Sequence, residues 1–338
     1  MACTERGPQR YDSEFLAMGT RVQLSLLATG PDTAAMLSAL VEHSMRREAI
    51  DWYPWTQDAS GELKQLNTAL ASGKSREISP ALNLLLQRAA AAYRLSEGYF
   101  DPAVAPLTQA WGFADLNDAR RQPAAPDPSL LEHWRHSRPT MAALRIDGRQ
   151  VSSPRRDLQL DLGAIAKGHA LQLALQQLQQ QGCHDAAINM GGQIGVMGAN
   201  MVRQWPAVAI RDPRAARALA TLQLDAGESI ATSGDYERYI ERQGRRIHHL
   251  LDPHTGLPVA HTQAVTVISR DATTADAAST ALMAAGPEQW QRIARQMGVR
   301  EVLRVDASGA IEVTAALYAR LQWNPTAAQL RHITQINL

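Results

Sequence analysis

The sequence predicts an α+β fold, and three observations carry that reading. Two-residue alternation and helical spacing are mixed along the chain without the regular strand–helix repeat of a doubly wound sheet. The change of period is sharpest at Leu158–Gln181 (LQLDLGAIAKGHALQLALQQLQQQ). There alternating Leu158, Leu160 and Leu162 give way, after Gly163, to Leu171, Ala174, Leu175 and Leu178 at i, i+3, i+4 and i+7. The glycine-rich run Ile188–Gly198 (INMGGQIGVMG) has neither the spacing nor the following helical pattern of a dinucleotide fingerprint, so a nicotinamide site is not expected.

In order, residues 1–14 read as a loose N-terminal segment, 15–314 as one folded domain and 315–338 as a tail without readable pattern. Met18-Gly19-Thr20 makes a short loop before a strand alternating Val22, Leu24 and Leu26. Asp32 or Thr33 caps a helix with Met36, Leu37, Leu40 and Val41 as its apolar stripe. Ile50–Ser60 is aromatic and irregular, and Glu62–Asn67 reads as a helical turn. Ser79-Pro80 starts a helix presenting Leu82, Leu85, Leu86, Ala89 and Tyr93, with Gly98 at its end. Phe100–Phe113 (FDPAVAPLTQAWGF) reads as a loop, and Arg121–Pro128 as an exposed proline-rich connection. Leu144–Ile146 and Val151 flank an Asp147-Gly148 hairpin turn. Leu158–Leu162 reads as a half-buried strand and the helix after Ala164 ends at Gly182. Strands are expected at Ala186–Met190, Ala207–Ile210, Leu219–Leu224, Ile247–Leu251 and Val265–Ser269. Helices are expected at Thr273–Ala285 and Trp290–Met297, then strands at Val302–Val305 and Ile311–Val313 around a Ser308-Gly309 turn.

Bulk composition removes several function classes. A net charge of +1, with no basic run interleaved with aromatics, argues against nucleic acid. No apolar run approaches the roughly 18 residues of a membrane span. Cys3 and Cys183 form neither a disulfide framework nor a metal knuckle. The start, MACTERGPQRYDSEF, has no apolar core of a signal peptide, which leaves a cytoplasmic chain or one whose export segment is not in this sequence.

Several residues carry candidate chemistry. Lys167 falls in the first turn of a helix, where a cation opposes the macrodipole, in a chain whose cations are nearly all arginine. It either pairs with Asp161 or answers an anion bound at the helix N-terminus. Gly191-Gly192 either lets backbone approach a ligand or makes a bulge. Asp276 and Thr280 share a helix face and offer two hard oxygens that suit Mg2+, although an acid in a first turn also serves the dipole alone. In Arg246–Gly256 (RIHHLLDPHTG), His249 shares a strand face with Ile247 and Leu251 and is either a core histidine or a catalyst. Ala231–Tyr239 (ATSGDYERY) reads as a turn into a helix capped by Ser233 or Asp235.

Together and in this order, Met18-Gly19-Thr20, FDPAVAPLTQAWGF, LDLGAIAKG, INMGG, ATSGDYERY, HHLLDPHTG and ADAASTA resemble the ApbE family of FAD:protein FMN transferases. The resemblance implies a T-fold-like architecture of mixed sheets packed with helices, with FAD in a cleft between lobes. Carried over by position, Met18, Ala110, Trp111 and Gly112 contact FAD, and Asp161, Lys167 and Leu250 line its adenine and diphosphate region. The Ala164 carbonyl, Asp276 and Thr280 bind Mg2+, and His249 is the base near the reacting phosphate. The implied reaction moves FMN from FAD to a Thr or Ser hydroxyl of an acceptor protein, a subunit of a membrane electron-transfer complex, releasing AMP. An FAD pyrophosphatase giving FMN and AMP, and a non-catalytic FAD-binding protein, remain alternatives. Ala105 and His169 depart from the family's usual glycine and tyrosine. WYPWTQDASGEL carries an insertion where the family keeps an aromatic gate, which leaves open whether Trp55 fills that role.

Overall fold

Strand alternation at the start of the chain builds the first edge of a large sheet. The computed structural model describes residues 8–114, 125–242 and 245–338, so Cys3 and residues 121–124 of the expected connection lie outside the described residues. Strands β1 (Gln9–Ala17) and β2 (Thr20–Ala28) pair antiparallel in register from Gln9↔Ala28 to Ala17↔Thr20. They are joined by Met18-Gly19, with φ of 50° and 71°. Two successive positive-φ residues match the twist of a tight hairpin. Residues 9–14, expected to be loose, are therefore strand. Their polar side chains hide it, because the ladder to β2 rather than burial holds this edge.

The sheet continues with β3 (Ala186–Met190), β4 (Gln193–Met197), β5 (Ser229–Gly234), β6 (Thr262–Ser269), β7 (Glu301–Asp306), β8 (Ile311–Thr314) and β9 (Ile333–Ile336). Spatial order follows chain order, β1 to β9, and neighbours are antiparallel except β8 and β9. Both faces are covered. Val22, Leu24, Ile188, Val265 and Val302 join one core and Ala187, Ile268, Leu303 and Val305 the other. The first core is closed by α1 (Pro31–Asp51), α2 (Glu62–Ala71), α3 (Pro80–Leu95), α4 (Ala166–Gln180) and α5 (Ala272–Gln296). The second is closed by a three-stranded sheet of Val208–Arg211, Ala218–Leu222 and Gln322–Trp323. The α+β expectation holds. No helix among the described residues is long and apolar enough to cross a membrane.

Other expectations are corrected. Helix α1 has Gly30 as its N-cap without a side-chain bond, and Ala34, Leu37, Val41 and Met45 are its buried stripe, with Met36 exposed. Glu62–Asn67 belongs to a longer helix. Phe100–Phe113 is not a loop: Pro102–Val104 is a 3-10 turn capped by Asp101, which accepts from Ala103 N–H at 3.0 Å, and Ala105–Ala110 is helical. Proline tolerates first-turn positions because no N–H is needed there. Leu158–Leu162 is extended and its leucines are buried, but it joins no ladder. The Asn67 amide clamps Leu160 on both backbone groups at 2.9 Å, and the Asp161 N–H reaches the Pro102 carbonyl at 2.8 Å. Ala231–Tyr239 is no helix start. It is the end of β5 and a turn into the hairpin of Tyr239–Arg242 with Arg245–His248, so the strand expected over Ile247–Leu251 stops at His248. Helix α5 spans both expected helices with a break at Gly286, φ 69°. The tail is ordered into short helices and two strands, β9 completing the same sheet that β1 begins.

Candidate active site

The elbow before α4 and the start of α5 meet through a glycine. A Cβ on Gly168 would lie 2.3 Å from the Ala272 carbonyl oxygen and 2.5 Å from Asp276 Cβ, so only glycine permits this approach. The closeness lets the Gly168 N–H donate to Asp276 Oδ2 at 2.8 Å. Ala166 and His169 N–H return to the Leu162 and Ile165 carbonyls, but Gly168 is diverted. The Ala164 carbonyl therefore has no hydrogen-bond donor among the described residues.

These groups wall a cleft of about 810 Å³. Of the residues expected to act, Met18, Asp161, Ala164, Lys167, His249, Leu250, Asp276 and Thr280 all line it. Ala110, Trp111 and Gly112 do not. Trp111 is buried behind the wall, its indole N–H donating to the Gly256 carbonyl at 2.9 Å, and it packs with Leu107, Phe113, Trp134 and Leu251. A buried indole needs an acceptor for its N–H, and the 254–256 turn supplies it.

Lys167 forms no ion pair among the described residues, which removes the simple Lys167–Asp161 pair. Its charge nevertheless acts on Asp161, Asp276 and His249 alike. Burial pushes the Asp276 carboxyl above its ordinary range, against the Lys167 charge, the Gly168 N–H and the Gln193 amide. Burial likewise raises Asp161, opposed by the Gly163 N–H at 2.9 Å, the Thr108 hydroxyl at 3.3 Å and the charges of Arg238 and Lys167. His249 is lowered to about 3, by burial first and the Arg238 charge second. Its Nδ1 lies 3.2 Å from the Arg238 carbonyl, which accepts only, so Nδ1 carries the proton and Nε2 the lone pair. The core histidine is its neighbour: His248 is 2% exposed and bonded to the Val259 carbonyl at 2.7 Å.

Sequence reasoning missed three cleft residues. Arg238 donates to the Phe113 carbonyl at 2.6 Å, Arg211 lies 4.8 Å over the Tyr236 ring, and Gln193 follows the Gly191-Gly192 turn. Neither arginine has a carboxylate partner among the described residues. No local pattern marks them, since strand pairing and the turn after β5 bring them in. Trp52, Tyr53 and Trp55 supply an aromatic wall, with the Tyr53 and Trp55 rings 5.7 Å apart edge to face.

The described residues contain no group of three His, Cys, Asp or Glu side chains placed to hold a metal ion. What the cleft offers instead is the Asp276 carboxylate, the Thr280 hydroxyl and the free Ala164 carbonyl, a hard-oxygen set that fits Mg2+, which keeps several waters.

His169, 3% exposed, is lowered to about 4 by burial and then by Arg88, with Asp271 opposing. Its Nδ1 lies 3.1 Å from the Thr273 hydroxyl and its ring 5.5 Å from that of Trp52. A histidine depressed on folding contributes stability that is full above its unfolded value near 6.5 and is lost as pH falls toward the folded value. Removing it with His169→Phe is expected to shift the stability difference in the variant's favour by about 2–3 kcal/mol between pH 7.5 and pH 4. Parallel urea titrations check this; a difference independent of pH refutes it.

The sequence profile of the ApbE family matches residues 18–303. The chain is 41% identical over 309 residues to the FAD:protein FMN transferase of Rhodobacter capsulatus, covering 91% of this chain and 58% of that one. It is 33% identical over 216 residues to the enzyme of the same name from Vibrio cholerae, covering 63% and 64%. The chain thus spans under two thirds of the length of both relatives. The crystal structure of the ApbE protein from Thermotoga maritima superposes with a TM-score of 0.81 at 29% identity, covering 92% of this chain and 99% of that one. The apo flavinyl transferase ApbE of Pseudomonas stutzeri gives 0.80 at 27%, covering 95% and 98%. Matched along most of its length in sequence and in fold, the chain belongs to the ApbE family.

Proposed function

We propose that the chain is a Mg2+-dependent FAD:protein FMN transferase. The observation that carries this is the meeting of Lys167, Asp276 and the free Ala164 carbonyl at one place in the cleft, held by the Gly168–Asp276 bond of 2.8 Å. Such a place suits a diphosphate, and the aromatic wall with Met18 suits a flat ring system. A Thr or Ser hydroxyl of the acceptor attacks the FMN-side phosphorus of FAD. A phosphoester bond forms, the bond to the bridging oxygen breaks, and AMP leaves with that oxygen.

His249 Nε2 takes the hydroxyl proton. Neutral at working pH, it is ready to accept, and the dianionic substrate beside it raises its basicity over that of the free site. Lys167, Arg211 and Arg238 hold the phosphates and offset charge on the leaving group. Asp276, Thr280 and the Ala164 carbonyl would hold Mg2+, which would supply Lewis-acid neutralisation of the diphosphate. The acceptor is a protein outside this chain, a subunit of a membrane electron-transfer complex.

Incubation with FAD, Mg2+ and a purified acceptor is expected to give a fluorescent acceptor heavier by FMN. No adduct at saturation refutes the transferase reading, and FMN with AMP formed equally without acceptor replaces it by a pyrophosphatase. Lys167→Ala is expected to weaken FAD binding about 10–100-fold while changing stability by less than about 1 kcal/mol, because the ammonium forms no ion pair among the described residues. Fluorescence titration and thermal melts check both; loss of stability with unchanged affinity returns Lys167 to a structural role.

A further inference from the structure

Gln193 opens β4 directly after the Gly191-Gly192 turn, is 7% exposed and lines the cleft beside Asp276. Its amide nitrogen bonds Asp276 Oδ1. A carboxylate at this place only accepts, so the amide must face it with N–H, and Oε1 is left on the other side. That Oε1 is buried and has no hydrogen-bond partner among the described residues. A buried amide oxygen without a donor costs more than the average hydrogen bond returns. Asp276 meanwhile has one oxygen on the Gly168 N–H and the other on Gln193, so its carboxylate plane is fixed from two sides.

We propose that Gln193 is a positioning residue of the cation site, holding Asp276 through its amide N–H and presenting Oε1 to the ion or its water shell. The inference rests on the Mg2+ reading of the cleft. It gives a role to a buried amide oxygen that is left unpaired in the same cleft wall as the free Ala164 carbonyl. A hydrogen-bonding partner of a metal ligand typically tunes affinity 10–100-fold.

Mg2+ is titrated into flavin-free protein by calorimetry, with Mn2+ paramagnetic resonance as a second probe. Gln193→Met keeps the length and removes both polar atoms; its Kd for Mg2+ is expected to rise 10–100-fold. Gln193→Glu restores an oxygen and is expected to bind at least tenfold tighter than Gln193→Met. Its melting temperature is expected to rise more on adding Mg2+ than the wild type's, because its carboxylate abuts Asp276 when no ion is present. Should Gln193→Met fail to fold, that larger rise alone reads the contact, and an equal rise overturns the proposal. Asp276→Ala separates the two levels. If it binds Mg2+ like wild type, the cation site itself is wrong; if it loses the ion while Gln193→Met stays within twofold of wild type, only the role of Gln193 falls.

Discussion

Asp276→Asn is expected to lower FMN transfer by about 10²–10³-fold while leaving the protein folded. The substitution keeps an oxygen for the Gly168 N–H, which now lies 2.8 Å from Oδ2, but removes the charge that a divalent cation needs. Losing several kcal/mol of transition-state neutralisation corresponds to two or three powers of ten. Stability should hardly suffer, because burial already disfavours the ionised carboxylate here, and the Gln193 amide can turn its unpaired Oε1 to accept from the new Nδ2 N–H. Steady-state transfer at saturating FAD across Mg2+ concentrations, with a thermal melt, checks both parts. Normal transfer, or a rate loss that the melt accounts for by unfolding, removes Asp276 from the cation site.

Gly168→Ala is expected to destabilise by about 1–3 kcal/mol and to lower transfer at least tenfold. In an ordinary helix the change would help, alanine being favoured over glycine by about 1 kcal/mol. Here the new methyl meets backbone, the Ala272 carbonyl at 2.3 Å, and backbone cannot rotate away as a side chain does. The start of α5 must then move off α4, stretching the Gly168–Asp276 bond and separating Lys167 from Asp276. Chemical denaturation and the Mg2+ dependence of transfer check the two effects. A variant at least as stable as wild type with unchanged Mg2+ dependence shows that the helices do not need this contact.

The residues around Lys167 show what periodicity can and cannot carry. Leu171, Ala174, Leu175 and Leu178 are buried as the spacing requires, and Gly182 ends the helix at φ 81°, because both are local consequences of helical geometry. The alternation of Leu158, Leu160 and Leu162 was also real burial. Whether an alternating segment finds a ladder, however, depends on a neighbouring strand, and this one found the Asn67 amide instead. The reverse holds for residues 9–14, where backbone pairing made a strand that no apolar pattern announces. ATSGDYERY was misread because a strand leading to a turn and a capped helix start use the same small and acidic residues; Asp235 serves the Arg214 guanidinium at 2.7 Å, not a helix.

By itself the sequence determined the α+β class, the main helices and strands, and, through its ordered motifs, the family; most of the site residues it named do face the cleft. Those are properties of residue type and short spacing. Only the tertiary structure decided that Asp276 and the Lys167 elbow share one place, that Trp111 stands behind the wall rather than on it, and that Gln193, Arg211 and Arg238 line the same cleft. The reason is physical: these contacts join residues far apart in the chain, through a glycine-sized helix approach and the pairing of β4 and β5, and no local pattern encodes which distant surfaces meet.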